Sequence, residues 1–516
     1  MNKFYIILLV VLLLVFGCVQ QPTAGNGTGQ PPIVIPPSSP PSAQVVSQQY
    51  DTQVSIDPSQ QHQIMFGFGG FLDRFDNPHM LYGAEQGLPK DTVPQGDKEK
   101  ILDLVYSDLE IDTMTVGLSA SPSKSYDGWK GWEPENDNSD PNSIDWSKMM
   151  FDSSHQNVSF LDGVLPLAVK AQERIRARGG RPILIFRNAW AKEHWMTNEY
   201  GGLKDSMEEE YAEWMLTAIL YAKNQYNLTV DYLAVVNEPD GAGTMSPQQM
   251  TKLVKVTGKM FEQNGVPTKL IGPEVYDPSF GPSYLKAIVS DPEASKYYGL
   301  ITYHTYDRDL SVNELGNVTA REEIRELTEQ LNVPSLDSEI SACCKADYQF
   351  WNDTYDQALA WANDFHNEFT VTDAGGMDMQ LAFWNRQDVS SYVYLLFDEN
   401  KNYAGYKLAS FYYPLGQYIK FVRPGMVRVD ATSNNSDVLV SAYINDNDKS
   451  VVIVAINNAD EERNASVSFA SGAPTTLTGT MSSETENWKD IGNAQIENGQ
   501  FSVTLAPRSV TTLVVK

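Results

Sequence analysis

Two glutamates stand where apolar segments give way to polar residues, and this position suits acid–base chemistry. Asp231-Tyr-Leu-Ala-Val-Val-Asn-Glu-Pro239 reads as a buried strand that ends close to Glu238. Pro334-Ser-Leu-Asp-Ser-Glu-Ile340 places Glu339 in a similar way. A carboxylate at the end of a buried strand lies near the low-dielectric core, where its pKa can rise, yet it can still reach a substrate. A pair of such carboxylates predicts hydrolysis of a glycosidic bond.

Composition and motif content argue against several other functions. The formal net charge of -28 disfavours nucleic acid, because phosphate recognition needs clustered Lys and Arg. The chain has three cysteines, six histidines, no CxxC pair and no HExxH, so we expect no metal site. It has no G-x-S-x-G, and Gly67-Phe-Gly-Gly70 does not complete G-x-G-x-x-G, so serine-hydrolase and dinucleotide functions lose their main support. We expect no cofactor.

The elements that would hold the two glutamates alternate between buried strands and helices. Eight apolar runs are predicted as strands: the run ending at 67–71, then 113–118, 181–186, 232–236, 268–272, 299–303, 333–336 and 379–383. Helices are predicted over 207–226, over 247–264 with Ser246 as the N-cap, and over 319–331. This alternation predicts an α/β protein built on a (β/α)8 TIM barrel.

In such a barrel the carboxyl ends of all strands meet at one mouth. Glu238 would follow strand four and Glu339 strand seven, so their side chains can converge there. A retaining glycosidase needs its carboxyl groups about 5–5.5 Å apart, one as nucleophile and one as acid/base. The segment Ser119–Pro166, rich in Asp, Asn, Ser, Gly and Trp, is predicted as a long loop at this catalytic face.

From about residue 412 the pattern changes to short strands separated by turn residues. Strands are predicted over 426–430, 438–444, 450–457, 465–469, 475–481, 500–505 and 509–515, which is typical of a β-sandwich. The predicted domains are therefore a catalytic barrel over 46–411 and an additional C-terminal β-sandwich over 412–516. The first strand or two, beginning near 45–56, can join the sandwich instead of the barrel.

The first 45 residues read as an export signal and a tether. Met1-Asn-Lys3 and the apolar run Phe4–Phe16 predict a signal peptide over 1–18 that is too short for a membrane span. Val15-Phe-Gly-Cys18 resembles a lipobox, which predicts lipid attachment at Cys18; an ordinary exported protein and an uncleaved anchor are the alternatives. Residues 19–45, rich in Pro, Ser and Gly, are predicted to be a disordered linker.

The two other cysteines, Cys343 and Cys344, are adjacent in the sequence just past Glu339. A vicinal disulfide at the site and two buried thiols both fit this pair, and the sequence favours neither.

Further polar and aromatic residues follow the predicted strand ends and are candidates for substrate binding. They are Asn237, Trp190, Trp195, Glu274, His304, Tyr306 and Trp384. For each of them singly, core packing or structural hydrogen bonding is an alternative. Together they lie where a sugar-binding cleft is expected.

Several of these segments together resemble glycoside hydrolase family 30, in the clan of barrel hydrolases with catalytic glutamates on strands four and seven. Gln63-Ile-Met-Phe-Gly-Phe-Gly-Gly70 is similar to the family's first barrel strand, and Tyr413-Pro-Leu-Gly-Gln-Tyr-Ile-Lys-Phe-Val-Arg-Pro-Gly425 to its passage into the side sandwich. Asn237-Glu-Pro239, Leu336-Asp-Ser-Glu339, Tyr303-His-Thr-Tyr306 and Phe383-Trp384 resemble its segments at strands four, seven, six and eight.

The resemblance covers residues 50–516 and implies retaining hydrolysis, with Glu238 as acid/base and Glu339 as nucleophile. It departs from the family at Phe186-Arg-Asn-Ala-Trp190 and in the long loop after strand two. These loops build the subsites, so the resemblance does not indicate which of the family's substrates this protein uses. Those substrates include glucosylceramides, β-glucans, β-1,6-galactans and glucuronoxylans.

We therefore expect a retaining β-glycoside hydrolase that acts outside the cell on a polysaccharide or glycoconjugate. It would be secreted or lipid-anchored to the membrane at the cell surface, and monomeric. One alternative is a non-catalytic carbohydrate-binding surface protein on a degenerate hydrolase fold, which a carboxyl separation far outside the retaining range would favour. Another is a structural or adhesion protein, which predicts a barrel mouth without a cleft.

Overall fold

A computed structural model describes most of the chain beyond the linker. The described residues are 50–75, 92–118, 132–151, 160–188, 193–198, 202–241, 245–307, 315–341, 353–384, 390–400, 402–471, 475–493, 496 and 499–516. They belong to one compact unit, Gln49–Lys516. The predicted signal peptide, Cys18, the linker, Trp190, Cys343 and Cys344 lie outside the described residues. Within the described ranges, no helix has the length and apolarity needed to cross a membrane.

Strands and helices alternate through the first two thirds of the molecule and strands dominate the last third. The strands are β1 (Thr52–Ile64), β2 (Gly67–Gly70), β3 (Thr113–Leu118), β4 (Ile183–Asn188), β5 (Tyr232–Ala234), β6 (Lys269–Val275), β7 (Tyr298–His304), β8 (Ser335–Ile340), β9 (Gly376–Met379), β10 (Leu381–Trp384), β11 (Ser391–Phe397), β12 (Tyr403–Leu408), β13 (Val427–Ser433), β14 (Val438–Ile444), β15 (Val451–Asn457), β16 (Arg463–Phe469), β17 (Leu477–Ser482), β18 (Lys489–Gly492), β19 (Gln500–Leu505) and β20 (Ser509–Val515). The α-helices are α1 (Gln95–Asp103), α2 (Phe160–Ala177), α3 (Glu208–Tyr226), α4 (Pro247–Gln263), α5 (Gly281–Val289), α6 (Pro292–Ser295), α7 (Val318–Leu331), α8 (Tyr355–Asn367) and α9 (Tyr412–Ile419).

Eight parallel strands form the barrel, in the order β2-β9-β8-β7-β6-β5-β4-β3. A parallel bridge between Phe71 and Thr115 joins the two ends of this sheet, so the sheet closes into a barrel.

The helices begin close to where the sequence predicts them. The predicted N-cap of α4 is confirmed, because Ser246 Oγ accepts a hydrogen bond from the Gln249 amide at 3.2 Å. The predicted (β/α)8 barrel with a β-sandwich is thus confirmed.

Side-chain alternation along β4 shows how the barrel is packed. Ile183 and Ile185 join a small cluster inside the barrel, whereas Leu184 and Phe186 join the large core between the strands and the helices. Because successive side chains of a strand point to opposite faces, Arg187 follows Ile185 on the inner face. The same alternation therefore carries a charged side chain into the upper interior of the barrel.

The eighth barrel strand differs from the prediction of residues 379–383. Leu381 to Trp384 form β10, which pairs with β11 in a separate three-stranded sheet with β12. The true eighth strand is β9, and its buried Asp378 accepts a hydrogen bond from Thr113 Oγ1 at 2.8 Å. The apolar run 379–383 was therefore a misleading signal. The observed strand, β9, contains the polar residue Asp378, whose hydrogen bond inside the barrel allows it to be buried there.

The sandwich is built on a nine-stranded sheet, in the order β18-β17-β20-β15-β14-β13-β1-β16-β19. β1 pairs antiparallel with β13 and parallel with β16, so the strand that precedes the barrel belongs to the sandwich. β15 is buried on both faces: Val451, Ile453 and Ala455 face the sandwich core, while Val452, Val454 and Ile456 face the barrel core. The side chains of β15 therefore contribute to the hydrophobic cores of both domains.

The described part of the predicted catalytic-face loop, residues 132–151, packs along α3. The Trp132 ring stacks on Trp214 with centroids 4.1 Å apart, and its Nε1 donates to Thr217 Oγ1 at 2.9 Å. This cover explains why α3 is buried on nearly all sides, including its charged residue Glu213. The loop ends earlier than predicted, because residues from Phe160 onward belong to α2.

Candidate active site

Arg187 lies at the centre of the site and connects several acidic groups. Its guanidinium contacts Glu339 Oε2 through Nη2 and Glu274 Oε2 through Nη1, the latter at 3.0 Å. The face of the Phe71 ring lies 3.9 Å from its Cζ. With 1% of its side chain exposed, this charge is held by the carboxylates and the aromatic ring and has almost no contact with water.

Backbone irregularities aim the acidic side chains. Glu238 and Glu274 both adopt the left-handed conformation, with φ of 48° and 57°, and the Glu238 amide donates to the Glu274 carbonyl at 2.8 Å. The pairing of β6 with β7 shifts register around Glu274, and the pairing of β7 with β8 shifts so that His304 lies beside Glu339. Such bulges re-aim a side chain that regular alternation would turn away from the interior.

A hydrogen-bonded chain links Glu238 to the arginine through His304. His304 Nδ1 lies 3.3 Å from Glu238 Oε1, and His304 Nε2 lies 3.0 Å from Glu274 Oε2. Burial disfavours the charged imidazole, but Glu339, Glu238 and Glu274 outweigh it and raise the pKa of His304 to about 10. The imidazolium therefore donates from both nitrogens at neutral pH. Its 3.1 Å approach to Arg187 Nη1 is tolerated because Glu274 Oε2 contacts both cations at 3.0 Å.

Glu274 is the buried counter-charge of this chain. It is fully buried and also accepts a hydrogen bond from Ser338 Oγ at 3.1 Å. Burial raises the pKa of this carboxyl, but the charge of Arg187 and the hydrogen bond from His304 outweigh burial and lower the pKa to about 2. Glu274 thus remains an anion that orients Arg187 and His304.

The carboxylate of Glu339 is surrounded by donors. Tyr306 Oη donates to its Oε1 at 2.8 Å and Gln380 Nε2 donates to the same oxygen at 3.3 Å, while Arg187 holds Oε2. Burial alone would raise the pKa of this carboxyl, but the charges of Arg187 and His304 and the hydrogen bonds hold it below the ordinary 4.5. Glu339 is therefore an ionised carboxylate at neutral pH, in a fixed orientation.

Glu238 faces Glu339 at short range. One oxygen from each carboxylate and one ring nitrogen of His304 all lie within 4.8 Å of one another. The Glu238 side chain is 12% exposed and the Glu339 side chain 6%, so both stand at the boundary between the barrel interior and the mouth. The predicted convergence of these two residues is what the structure shows.

The other candidate residues fall into two groups. His304, Tyr306 and Glu274 surround the glutamate pair as described above, and Asn237 precedes Glu238 with its Oδ1 buried and unpartnered. Trp195 instead donates from Nε1 to the Glu133 carbonyl at 2.8 Å and so holds the 132–151 loop. Trp384 ends β10 of the separate sheet and is 7% exposed. Trp190 lies outside the described residues.

Sequence reasoning missed Arg187, Gln380 and Phe71. The position of Arg187 in the sequence could have revealed it. Two residues after Ile185 in a buried strand, it is expected to point to the inner face, where a charged side chain needs an acidic partner. Gln380 gave no signal, because it lies inside the predicted strand 379–383, whereas the observed strand β9 ends at Met379.

Parts of the chain have counterparts in known proteins. Residues 425–513 match the family model described as the Glycosyl hydrolase family 30 beta sandwich domain. The chain is 26% identical over 322 residues to Glucuronoxylanase XynC of Bacillus subtilis (strain 168), which covers 61% of this chain and 67% of that protein. It is 25% identical over 318 residues to Lysosomal acid glucosylceramidase of Mus musculus, which covers 55% of this chain and 58% of that protein.

A solved structure extends the likeness over nearly the whole described chain. The fold superimposes on the glycoside hydrolase family 30 subfamily 8 xylanase, Xyn30A, of Clostridium acetobutylicum with a TM-score of 0.65 and 22% identity, covering 90% of this chain and 99% of that one. The sequence and the fold of the chain are similar to those of glycoside hydrolase family 30 enzymes. The chain spans less than two thirds of the length of the murine glucosylceramidase that it matches. The two named relatives act on different substrates, a glucuronoxylan and a glucosylceramide, and they leave this chain's substrate open.

Proposed function

We propose that this protein is a retaining β-glycoside hydrolase that cleaves a polysaccharide or glycoconjugate by double displacement. The observation that carries the proposal is the approach of Glu238 and Glu339 oxygens to within 4.8 Å. Retaining enzymes hold their carboxyl groups about 5–5.5 Å apart, whereas inverting enzymes need about 6.5–9.5 Å to fit a water between carboxyl and sugar. The intact pair also counts against a non-catalytic sugar-binding protein on a degenerate fold.

In the first step Glu339 would act as the nucleophile. Its ionised oxygen attacks the anomeric carbon while Glu238 gives a proton to the departing glycosidic oxygen. A covalent glycosyl–enzyme forms and the aglycone leaves as a neutral alcohol. The imidazolium of His304 donates to Glu238 and stabilises the carboxylate that remains after the proton has gone.

In the second step Glu238 would act as a base. Its carboxylate takes a proton from a water molecule, which attacks the anomeric carbon from the face that the aglycone left. The bond to Glu339 breaks, and the recovered carboxylate is stabilised by Arg187 and Tyr306. Two inversions return the original anomeric configuration.

Two substitutions test these roles. Glu339→Gln should lower kcat on an activated aryl glycoside by at least about 10³-fold while the thermal midpoint is kept, because the nucleophile is lost. Glu238→Ala should lose about 10²–10⁴-fold on substrates with poor leaving groups and much less on activated ones, and azide should restore part of the rate. An active Glu339→Gln enzyme, or an equal loss on all leaving groups for Glu238→Ala, would contradict the assignment.

We also propose that the enzyme is exported and lipid-anchored through Cys18. The support is the sequence alone: an apolar run over Phe4–Phe16 that ends at a lipobox-like Val15-Phe-Gly-Cys18. Cys18→Ala should move the exported activity from the membrane fraction to the soluble fraction, measured by detergent phase partition. An unchanged distribution would rule out lipidation at this residue.

A further inference from the structure

An acidic cluster lies between the 132–151 loop and the first half of α3, away from the glutamate pair. It consists of Glu133, Asp137 and Asp140 from the loop and of Glu210 and Glu213 from the helix, and is called the α3 acidic cluster below. Three of its members are almost completely buried: Glu133 and Glu213 are 1% exposed and Asp137 is 0% exposed. Asp140 is exposed and Glu210 half-buried, so the cluster has one side towards solvent.

The buried members keep oxygens without hydrogen-bond partners. No donor reaches either buried carboxylate oxygen of Glu213, whose carboxyl lies within hydrogen-bonding range of the Glu210 carboxyl. Glu133 Oε2, Asp137 Oδ1 and Glu210 Oε2 are also buried without a donor. The charges that act on the Glu213 carboxyl are those of Asp137, Glu210 and Asp140, so it points into the cluster. Burying a carboxylate without a partner costs several kcal/mol, and like charges beside it add to that cost.

Several buried acids elsewhere in the molecule form ion pairs with arginine. Glu274 contacts Arg187, Glu368 contacts Arg321, and Asp112 contacts Arg178 and Arg423. In the described part of the chain, no lysine, arginine or histidine forms an ion pair with a side chain of the α3 acidic cluster. Lys148 Nζ reaches only the backbone carbonyl of Asp137. The cluster therefore needs positive charge that the described residues do not supply.

We propose that the α3 acidic cluster binds a calcium ion, with Asp137 and Glu213 as its principal ligands. Among the described residues, ligand atoms of three His, Cys, Asp or Glu side chains converge to within 4.8 Å only at Glu238, His304 and Glu339, so at most two carboxylates meet in the α3 acidic cluster. The calcium ion would therefore take two carboxylates together with amide, backbone and water oxygens, a mixed and flexible set that Ca²⁺ accepts and Mg²⁺ does not favour. The Asn-rich stretch that begins at Asn136 supplies such neutral oxygens nearby.

The ion would fasten the loop to the barrel. Glu133 carries the carbonyl that accepts from Trp195, and Trp132 stacks on Trp214 of α3, so the cluster lies between two anchoring contacts. Trp195 belongs to the segment that follows β4, the strand that carries Arg187. Calcium would thus stabilise the loop region more than it changes the chemical step.

Thermal unfolding at constant ionic strength tests the proposal. Ca²⁺ at about a hundred times its dissociation constant should raise the midpoint of the full chain by about 3 °C over the enzyme in chelator, and titration calorimetry should find one ion per chain. Glu213→Gln and Asp137→Asn should each abolish this rise. Glu209→Gln, which removes an exposed carboxylate from the same helix, should retain it.

The pH dependence separates a calcium ion from bound protons. Without a cation, burial and the neighbouring carboxylates favour the protonated forms of the buried carboxyls in the cluster. A carboxyl with a raised folded-state pKa loses its stabilising contribution as the pH rises through that value. Protons compete with Ca²⁺, so the calcium-induced rise should grow between pH 6 and 9.

Three results would overturn the proposal. The first is an equal decline in midpoint from pH 6 to 9 with and without Ca²⁺, together with a Glu213→Gln midpoint at or above that of the native chain. The second is an equal rise with Mg²⁺, which would mark general charge screening. The third is a calcium effect that survives in both Glu213→Gln and Asp137→Asn.

Discussion

Five ionisable side chains meet in the upper barrel, and their charges explain the state of each. Arg187 and His304 carry positive charge, and Glu274 and Glu339 carry negative charge, so these four balance. Glu238 is the remaining member and the most exposed, with 12% of its side chain open. The balance leaves Glu339 as a fixed anion and leaves Glu238 as the carboxylate of the five that is most accessible to a substrate.

Tyr306 offers a conservative test of this electrostatic arrangement. Its hydroxyl donates to Glu339 and helps to hold the pKa of that carboxyl below 4.5. A depressed carboxyl pKa keeps Glu339 ionised down to a lower pH, and the anion is lost as the pH falls through the folded-state value. Tyr306→Phe should therefore move the acid limb of kcat/KM to higher pH and lower its plateau roughly tenfold, the worth of a charge-assisted hydrogen bond.

Tyr303→Phe is the matched control for this experiment. It removes a buried hydroxyl from β7, the strand that ends two residues before Tyr306, but that hydroxyl donates to Glu368 at 3.2 Å. Its acid limb should stay in place. An unmoved limb in Tyr306→Phe, or an equal movement in both variants, would show that the Tyr306 hydrogen bond does not set the state of Glu339.

At this scale the sequence predicted the glutamate pair but not the groups that control it. Glu238 and Glu339 stand out in the sequence because each is a charged residue at the carboxyl end of an apolar strand, where the mouth of the barrel is expected. Arg187 and Gln380 act through contacts made across the barrel, between residues more than forty positions apart in the chain. Such partners depend on register, and register is not visible in a strand taken alone.

At the scale of elements, the bulges in β6 and β8 decide which side chains enter the barrel. Regular alternation would send Glu274 outward, because Ile271 already faces inward and alternate residues share a face. Left-handed backbone at Glu238 and Glu274 cannot be read from residue types that rarely adopt it. The ends of regular strands could be predicted from the sequence, but the bulges and the left-handed residues could not.

β15 provides a test of how closely the two domains depend on each other. Ile456 is fully buried on the face of β15 that meets the barrel core. Ile456→Ala should lower the free energy of unfolding by about 2–5 kcal/mol, and activity and secondary structure should be lost at one common, lower denaturant midpoint. Ile491→Ala, at a 36% exposed position of β18, should change stability by less than about 0.5 kcal/mol. Activity that survives at the original midpoint while the sandwich unfolds would show that the domains are independent.

At the scale of the whole molecule, the sequence predicted the architecture well. Periodicity distinguished the barrel from the sandwich, because buried parallel strands are apolar throughout while sandwich strands are short and alternate. It could not assign β1, which lies before the barrel in the chain but pairs with β13 and β16. Long-range pairing of this kind leaves no local mark, and only the folded chain shows it.

The central claim is that Glu238 and Glu339 carry out a double displacement, and the configuration of the first product tests it most directly. Proton NMR of a β-glycoside digest, recorded before mutarotation, should show the β-anomer as the first sugar released, because two successive inversions at one carbon restore the configuration. A panel of β-linked glycans would identify the substrate for this measurement. An α-anomer as the initial product would mean a single displacement by water and would contradict the account, since oxygens of the two carboxylates lie within 4.8 Å of each other.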